Sequence, residues 1–211
     1  MKIFCIGMNK TGTTSLKHLF ESEGVKVARQ QDFEKMTARF YKKGSIENIL
    51  RVIDRLNPKI DIFFQDIPFA IPGFWRYLVA RYPDAKYVLS VRDSADQYYN
   101  SLINFHKRGW QINIFDPEEL KKTKYIEQGF SYRFLVEILG CPKNDPYNKD
   151  YLTSLYDKHV ADVERYFIDK PDKFIKINLS NAEDFDKLNQ FVGLNFTNTE
   201  FPHRNASKYV D

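Results

Sequence analysis

The sequence predicts a three-layer α/β fold in which a mostly parallel, five-stranded sheet is flanked by helices. Five short apolar runs have the length and the β-branched or aromatic content of buried strands. Segments with the apolar spacing of helices separate these runs, and such alternation is typical of parallel sheets. The chain has 211 residues, enough to bury a core as one domain. We therefore expect a single domain over residues 1–211.

The five predicted strands are apolar runs that end at turn residues. The fourth follows the turn at Pro83 and reads Tyr-Val-Leu-Ser-Val up to Val91. The fifth follows Pro171 and Asp172 in the same way. The predicted strands are residues 3–6, 25–27, 60–64, 86–91 and 174–178.

The predicted helices carry apolar side chains on one face. In the first helix, Leu16, Leu19 and Phe20 stand at positions i, i+3 and i+4. After the fourth strand, Ser94 and Gln97 form a capping box that starts another helix. Further helices are predicted after Asp32, after Ser45, across 73–82, after Asp116, across 131–139, across 152–167 and between Asn181 and Gly193.

Composition and charge argue against several classes of function. The formal net charge of +4 is mild for a nucleic-acid-binding protein and suits a small anionic ligand, so no nucleic-acid partner is expected. No apolar run reaches the roughly 18 residues of a membrane span. The first residues lack the pattern of a signal peptide, so we expect the mature domain to start at residue 1.

Cysteine and histidine usage bears on location and metal binding. Cys5 and Cys141 are the two cysteines of the sequence, and lone thiols without a disulfide framework suggest a reducing, cytoplasmic compartment. No cluster of His and Cys has the spacing of metal ligands, so no metal is expected.

The most informative stretch joins the first strand to the first helix and runs from Gly7 to Leu16. A strand that passes through a glycine-containing loop into a helix directs backbone N–H groups and the positive end of the helix dipole at one point, which suits phosphate. Gly7 and Gly12 have the spacing of a Walker A motif, but Thr13 stands where that motif requires lysine. The predicted fold is therefore P-loop nucleotide-kinase-like, and an ordinary strand–helix turn is the alternative.

The segment Asn-Lys-Thr-Gly-Thr-Thr-Ser-Leu, residues 9–16, resembles the 5′-phosphosulfate loop of sulfotransferases that use 3′-phosphoadenosine-5′-phosphosulfate (PAPS). The resemblance implies PAPS as the sulfuryl donor and Lys10 as a catalytic residue that stabilises the bridging oxygen of the breaking S–O bond. Lysine and the helix dipole supply positive charge, so no metal is implied. The loop residues implied in donor binding are Asn9, Lys10, Thr11, Gly12, Thr13, Thr14 and Ser15.

Asp66 follows the third predicted strand, in the sequence Gln-Asp-Ile-Pro. Polar groups at the carboxyl ends of parallel strands line the ligand crevice of open α/β folds, so Asp66 is either a general base or the cap of the following turn. In the sulfotransferases that the chain resembles, a base often stands here as the histidine of His-Leu-Pro. The resemblance therefore implies Asp66 as the catalytic base, ionised beside a cationic nucleotide site. His106 is the alternative base.

The second informative stretch follows the fourth predicted strand. Arg92 stands just before the helix that Ser94 caps, and arginine holds phosphate through two parallel hydrogen bonds. Without the first loop, a surface ion pair would be the favoured interpretation of this arginine. In sulfotransferases an arginine after this strand and a serine on this helix hold the 3′-phosphate. The resemblance implies Arg92 and Ser101, although Asn100 has the usual spacing, and a resemblance of the tail implies Arg204 as a further contact.

Residues 103–150 are rich in aromatic side chains and are predicted to form an acceptor-binding cap within the domain. The predicted function is transfer of a sulfuryl group from PAPS to a hydroxyl or amine of a small-molecule or glycan acceptor. One alternative is an ATP-dependent small-molecule kinase, against which Thr13 counts. The other is a non-catalytic nucleotide-binding module, which aspartate in place of histidine at Asp66 leaves open.

Overall fold

The computed structural model describes residues 1–40, 46–57 and 59–202. Within these ranges five strands form one sheet in the order β2-β3-β1-β4-β5, and every adjacent pair is parallel. This confirms the predicted α/β fold with a P-loop-like strand–loop–helix at its start. The strands are β1 (Lys2–Cys5), β2 (Lys26–Val27), β3 (Ile62–Phe64), β4 (Lys86–Val91) and β5 (Phe174–Asn178).

The helices alternate with the strands, as predicted. Residues 134–138 continue the short α7 as a π-helical segment rather than as an α-helix. In chain order the described α-helices are α1 (Thr13–Ser22), α2 (Gln30–Phe40), α3 (Ile46–Asp54), α4 (Trp75–Arg81), α5 (Ala95–Trp110), α6 (Pro117–Lys122), α7 (Phe130–Arg133), α8 (Lys149–Phe167) and α9 (Glu183–Val192).

Two hydrophobic cores lie on opposite faces of the sheet, because successive side chains of a strand point to opposite sides. On β1, Ile3 and Cys5 pack with α1 and α9, whereas Phe4 packs with the helices of the other face. In the larger core, Phe4 stacks on Phe64 with ring centroids 4.7 Å apart. Sheet and two helical layers therefore confirm the predicted three-layer architecture.

The caps of several helices agree with the sequence. The Ser94 hydroxyl accepts a hydrogen bond from the Gln97 N–H at 3.1 Å, and Asp116 accepts one from the Glu118 N–H at 2.8 Å. Gly193 ends α9 with a φ of 68°. One prediction differs, since α2 begins at Gln30 rather than after Asp32. The cap predicted at Ser45 lies outside the described residues and stays a prediction.

The parallel arrangement places the carboxyl ends of all five strands at one edge of the sheet. The connections after β1 and β4 leave these neighbouring strands in opposite directions, since β1 leads to β2 and β4 leads to β5. Open α/β sheets bind ligands in the crevice at such a switch point. The loop after β1, Asp66 after β3 and Arg92 after β4 follow three adjacent strands at this edge.

Candidate functional site

Two glycines shape the loop between β1 and α1. A Cβ atom on Gly7 would lie 2.3 Å from the carbonyl oxygen of Ser90 on β4, so only glycine permits this close approach. Gly12 has a φ of 102° and caps α1 without a side chain. The first N–H groups of an α-helix have no acceptor within the helix. The N-terminus of α1 therefore presents backbone donors and a partial positive charge at the loop.

Thr11 holds the loop together from within. Its hydroxyl donates to the carbonyl oxygen of Met8 at 2.7 Å and lies 2.6 Å from the Ser90 hydroxyl, and its backbone N–H also bonds to Met8, at 3.3 Å. The hydroxyl and the backbone N–H of Thr11 are thus both hydrogen-bonded within the protein. Its predicted part in donor binding stays a prediction, and the hydrogen bonds explain why a hydroxyl residue stands here.

The other predicted loop residues lie around the same point. Asn9, Lys10 and Thr14 line a cavity beside the loop, and Ser15 is buried at the start of α1. The Thr13 hydroxyl donates to Oδ2 of Asp66 at 3.4 Å. The structure therefore brings the loop and the carboxylate predicted as the base together.

Lys10 and Asp66 both adopt left-handed backbone conformations, with φ values of 73° and 62°. Such a conformation costs a non-glycine residue about 1–2 kcal/mol, and strain of this kind clusters at functional sites. Two of the four non-glycine residues with positive φ in the described part of the chain are thus the two predicted catalytic residues.

Burial controls the charge of Asp66. The side chain is only 7% exposed, and Oδ1 accepts a hydrogen bond from the Ile67 N–H at 2.9 Å. Loss of hydration raises the pKa of Asp66 above its ordinary value, and the nearby Lys10 ammonium opposes the rise. The sequence predicts a carboxylate kept ionised by a cation. The cation is present, but burial outweighs it, which makes Asp66 a stronger proton acceptor when ionised.

Burial and nearby charges also act in opposite directions on the pKa of Lys10. Burial lowers the pKa of its ammonium, whereas the charges of Asp66 and Glu34 raise it. The Nζ atom lies 3.1 Å from the ring centroid of Phe105 on α5, a cation–π contact.

Arg92 contacts the loop directly. Its Nε donates a hydrogen bond of 2.8 Å to the carbonyl oxygen of Lys10, and its backbone N–H donates to the Tyr156 hydroxyl at 2.8 Å. The arginine after β4 and the loop after β1 are therefore adjacent. On α5, Ser101 is partly buried and Asn100 is exposed. Arg204 lies outside the described residues.

A cavity of about 320 Å³ opens beside Lys10 and Asp66. One wall comes from the loop and from α2, and the other from α5 and from residues 125–135. The second wall is mainly aromatic and apolar: Phe105, Trp110, Tyr125, Phe130, Phe134 and Leu135 line it.

His106 lines the cavity as a neutral imidazole. Its ring stacks on Trp110 with centroids 4.3 Å apart, and Nδ1 lies 2.6 Å from the Tyr147 hydroxyl. Burial and the Lys10 charge lower its pKa to about 3. A base with so low a pKa accepts protons poorly near neutral pH, so this lowered pKa counts against His106 as the base.

Comparison with known families identifies the chain. The model of the sulfotransferase domain family matches residues 2–210. The chain belongs to the sulfotransferase domain family. No curated protein matches its sequence. Among solved structures, this sulfotransferase-family chain is similar to deoxyadenosine kinase from M. mycoides with bound dATP, at 15% sequence identity and a TM-score of 0.37, over 90% of this chain and 99% of that chain.

Glu34 is a cavity residue of this sulfotransferase-family chain that sequence reasoning missed. It is 1% exposed and accepts hydrogen bonds from Gln30 Nε2 at 2.8 Å and from the Tyr125 hydroxyl at 3.0 Å. Burial raises its pKa to about 7. The signal that would have found it is a polar stripe, Gln30, Glu34 and Thr37, at i, i+4 and i+7 on the inner face of α2.

Within residues 1–40, 46–57 and 59–202, no three His, Cys, Asp or Glu side chains are grouped so as to hold a metal ion. None of the helices in these ranges combines the length and apolar character that crossing a bilayer requires.

Proposed function

We propose that this chain transfers the sulfuryl group of PAPS to a hydroxyl or amine of a small-molecule or glycan acceptor. One observation carries the proposal: Arg92 Nε lies 2.8 Å from the carbonyl oxygen of Lys10. This hydrogen bond joins Arg92, which is implied in binding the 3′-phosphate, to the loop that is implied in binding the 5′-phosphosulfate. Membership of the sulfotransferase domain family supports the reaction class.

The charged and polar groups at the loop fit a multiply negative nucleotide. The N-terminus of α1 offers backbone donors, and Lys10 and Arg92 supply positive charge. At Gly12 the left-handed φ of 102° is strained for any residue with a Cβ atom, and that atom would also meet Leu179 Cδ2 at 2.6 Å, so glycine is favoured at this turn. In the proposed complex, Asn9, Thr13, Thr14 and Ser15 complete the loop's contacts, and Ser101 and Arg204 join Arg92 at the 3′-phosphate.

Lys10 and Asp66 carry the proposed chemistry. PAPS, when bound, supplies an activated sulfuryl group whose S–O bond breaks to release 3′,5′-bisphosphoadenosine. Lys10 stabilises the charge that develops on the departing oxygen, an effect on the order of 10²–10³ in rate for one placed donor. Asp66 takes the proton from the acceptor as the new bond to sulfur forms, which contributes about 10²–10⁴-fold.

The aromatic wall supports the proposed acceptor cap over residues 103–150. Phe105, Trp110, Phe130 and Phe134 face the cavity that contains Lys10 and Asp66. An acceptor packed against them would present its hydroxyl or amine to Asp66 with water excluded.

Substitution of Lys10 tests the proposal. A mass-spectrometric screen of acceptor pools with PAPS should reveal a sulfated product, and Lys10→Ala should abolish it. Lys26→Ala, which removes an exposed lysine of β2, is the matched control. Thermal denaturation must show that Lys10→Ala remains folded; lysine already occupies the left-handed φ of 73°, so alanine adds no new backbone strain there. A folded, fully active Lys10→Ala enzyme contradicts the mechanism.

Thermal shift separates the proposal from its two rivals. Stabilisation by 3′,5′-bisphosphoadenosine but not by ATP with Mg²⁺ agrees with sulfuryl transfer. The reverse result indicates a kinase. Stabilisation by bisphosphoadenosine without sulfated product indicates a non-catalytic binding module.

A further inference from the structure

The cavity beside the loop has an unusual charge balance. Among its described lining residues, Lys10 is the one cationic side chain, whereas Asp66 and Glu34 are acidic. His106 adds no charge, because burial lowers its pKa to about 3. Under the proposed function the sulfuryl donor engages Lys10. The acceptor then shares the cavity with two carboxyl groups, and no cationic side chain other than Lys10 is among these lining residues.

Glu34 is held in place rather than free to turn away. Gln30 Nε2 donates to Oε1 at 2.8 Å, and the Tyr125 hydroxyl lies 3.0 Å and 3.1 Å from the two oxygens. Gln30 is fixed in turn, because it accepts from Gln65 Nε2 at 3.1 Å. A carboxylate has about four lone-pair positions, so this one keeps the capacity to accept a further hydrogen bond.

The walls of the cavity also suit a cation. Phe105, Trp110, Phe130 and Phe134 line it, and aromatic faces attract ammonium groups. The Lys10 ammonium already lies 3.1 Å from the ring centroid of Phe105, so a cation–π contact forms in this space. The cationic residues Lys17 and Arg29 lie in a neighbouring depression beyond Gln30 and Tyr125, each paired with a carboxylate, Glu21 or Asp32.

We propose that the acceptor is a small amphipathic cation, in which an ammonium group binds Glu34 while an apolar or aromatic body packs on the cavity wall. The group that reacts, a hydroxyl or a second amine in its neutral form, lies at Asp66. Glu34 is thus a specificity-determining residue. This inference rests on the proposed function, because it requires the donor to occupy Lys10.

Binding to the nucleotide-loaded protein tests the inference directly. A panel of arylalkylamines and alkylamines, each paired with its N-acetyl derivative, is titrated by calorimetry into protein saturated with 3′,5′-bisphosphoadenosine. Each pair has the same body; acetylation removes the positive charge and adds an acetyl group, so variants of Glu34 are needed to assign the difference to charge. We expect at least one amine to bind about tenfold or more tightly than its amide, the scale of one charge-assisted hydrogen bond.

Variants assign the effect to Glu34. Glu34→Gln should bring the amine-to-amide affinity ratio close to one, and Tyr125→Phe, which removes one hydrogen bond to the carboxylate, should lower it less. Glu137→Gln, at an exposed position of the π-helical segment, should leave the ratio unchanged. Thermal denaturation checks the fold of each variant, and Tyr125→Phe serves if Glu34→Gln does not fold.

The outcomes separate this inference from the proposed function. If bisphosphoadenosine binds but no amine is preferred over its amide, or if the preference survives both Glu34→Gln and Tyr125→Phe, the cationic-acceptor proposal is overturned and the proposed function stands. If bisphosphoadenosine does not bind, the proposed function fails and this inference fails with it.

Discussion

Arg92 Nε donates a hydrogen bond of 2.8 Å to the carbonyl oxygen of Lys10, which is 82 residues away in sequence. Lys10 follows β1 and Arg92 follows β4, two strands that pair in parallel. The contact lies at the switch point of the sheet, where connections leave neighbouring strands in opposite directions. A nucleotide that touches both residues would span this crevice.

Asp66→Asn should separate catalysis from nucleotide binding. Asparagine is nearly isosteric and tolerates the left-handed backbone found here, so the fold should be retained. We expect the turnover rate to fall by about 10²–10⁴-fold, while the affinity for 3′,5′-bisphosphoadenosine changes little. Steady-state kinetics and calorimetry measure the two effects. Asp84→Asn, at an exposed turn, is the control. Retained turnover in Asp66→Asn would place the base elsewhere, with His106 the next candidate.

Gly12→Ala should destabilise the protein through two separable causes. The left-handed φ of 102° costs alanine about 1–2 kcal/mol, and the new Cβ would lie 2.6 Å from Leu179 Cδ2. Leu179→Ala relieves only the contact, so the double variant should lose less stability than the sum of the single changes. Urea denaturation of all three variants measures the coupling, and strict additivity would contradict the predicted contact.

Gly7→Ala should cost more than Gly12→Ala, because its Cβ would lie 2.3 Å from the backbone oxygen of Ser90. Truncation of a neighbouring side chain does not move that oxygen. In the same urea experiment we expect the larger loss of unfolding free energy at Gly7. A smaller loss there would show that β1 and β4 separate easily at this point.

Glu34→Gln should change how stability depends on pH. Burial raises the pKa of Glu34 from its ordinary 4.5 to about 7, so the folded state binds this proton more tightly than the unfolded chain. The stability due to Glu34 is therefore complete below pH 4.5 and declines as the pH rises to about 7. Asp66 strengthens the shift, whereas Gln30, Tyr125 and Lys10 oppose it.

The neutral glutamine should remove that decline. We expect Glu34→Gln to be more stable than the natural protein at about pH 8 and to lose this advantage towards pH 4.5. Urea denaturation across this range measures it, with Glu137→Gln as the exposed control. Parallel stability curves for Glu34→Gln and the natural protein would show that Glu34 titrates normally.

Sequence reasoning located the strands best where the pattern is continuous. The bounds of β4 and β5 match the predictions: β4 is a largely apolar run, and both strands follow a turn that contains proline. The bounds of the shorter strands depend on hydrogen bonds to neighbouring elements. The Val25 N–H bonds to the Phe20 carbonyl at the end of α1, so β2 starts one residue later than predicted. Likewise Ile6 still donates to Val88, although β1 ends at Cys5.

The candidate site likewise contains residues whose proximity the sequence predicts and residues that meet only in the folded structure. The loop, Asp66 and Arg92 follow strands directly, so their common edge could be deduced once a parallel sheet was predicted. Glu34 and Tyr125 meet only through the tertiary fold, 91 residues apart. The π-helical segment was also unpredicted: the Leu139 N–H donates to the Phe134 carbonyl, five residues back, which no local pattern in the apolar stretch 131–139 indicates.

The most direct test of a nucleotide that spans the Lys10 loop and Arg92 is a calorimetric comparison of 3′,5′-bisphosphoadenosine with adenosine 5′-monophosphate. These ligands differ only in the 3′-phosphate. We predict that bisphosphoadenosine binds about 10–100-fold more tightly, and that Arg92→Ala removes most of this difference while Arg76→Ala, an exposed arginine paired with Asp162, preserves it. Equal affinities for the two nucleotides, or an unchanged ratio in Arg92→Ala, would contradict the account.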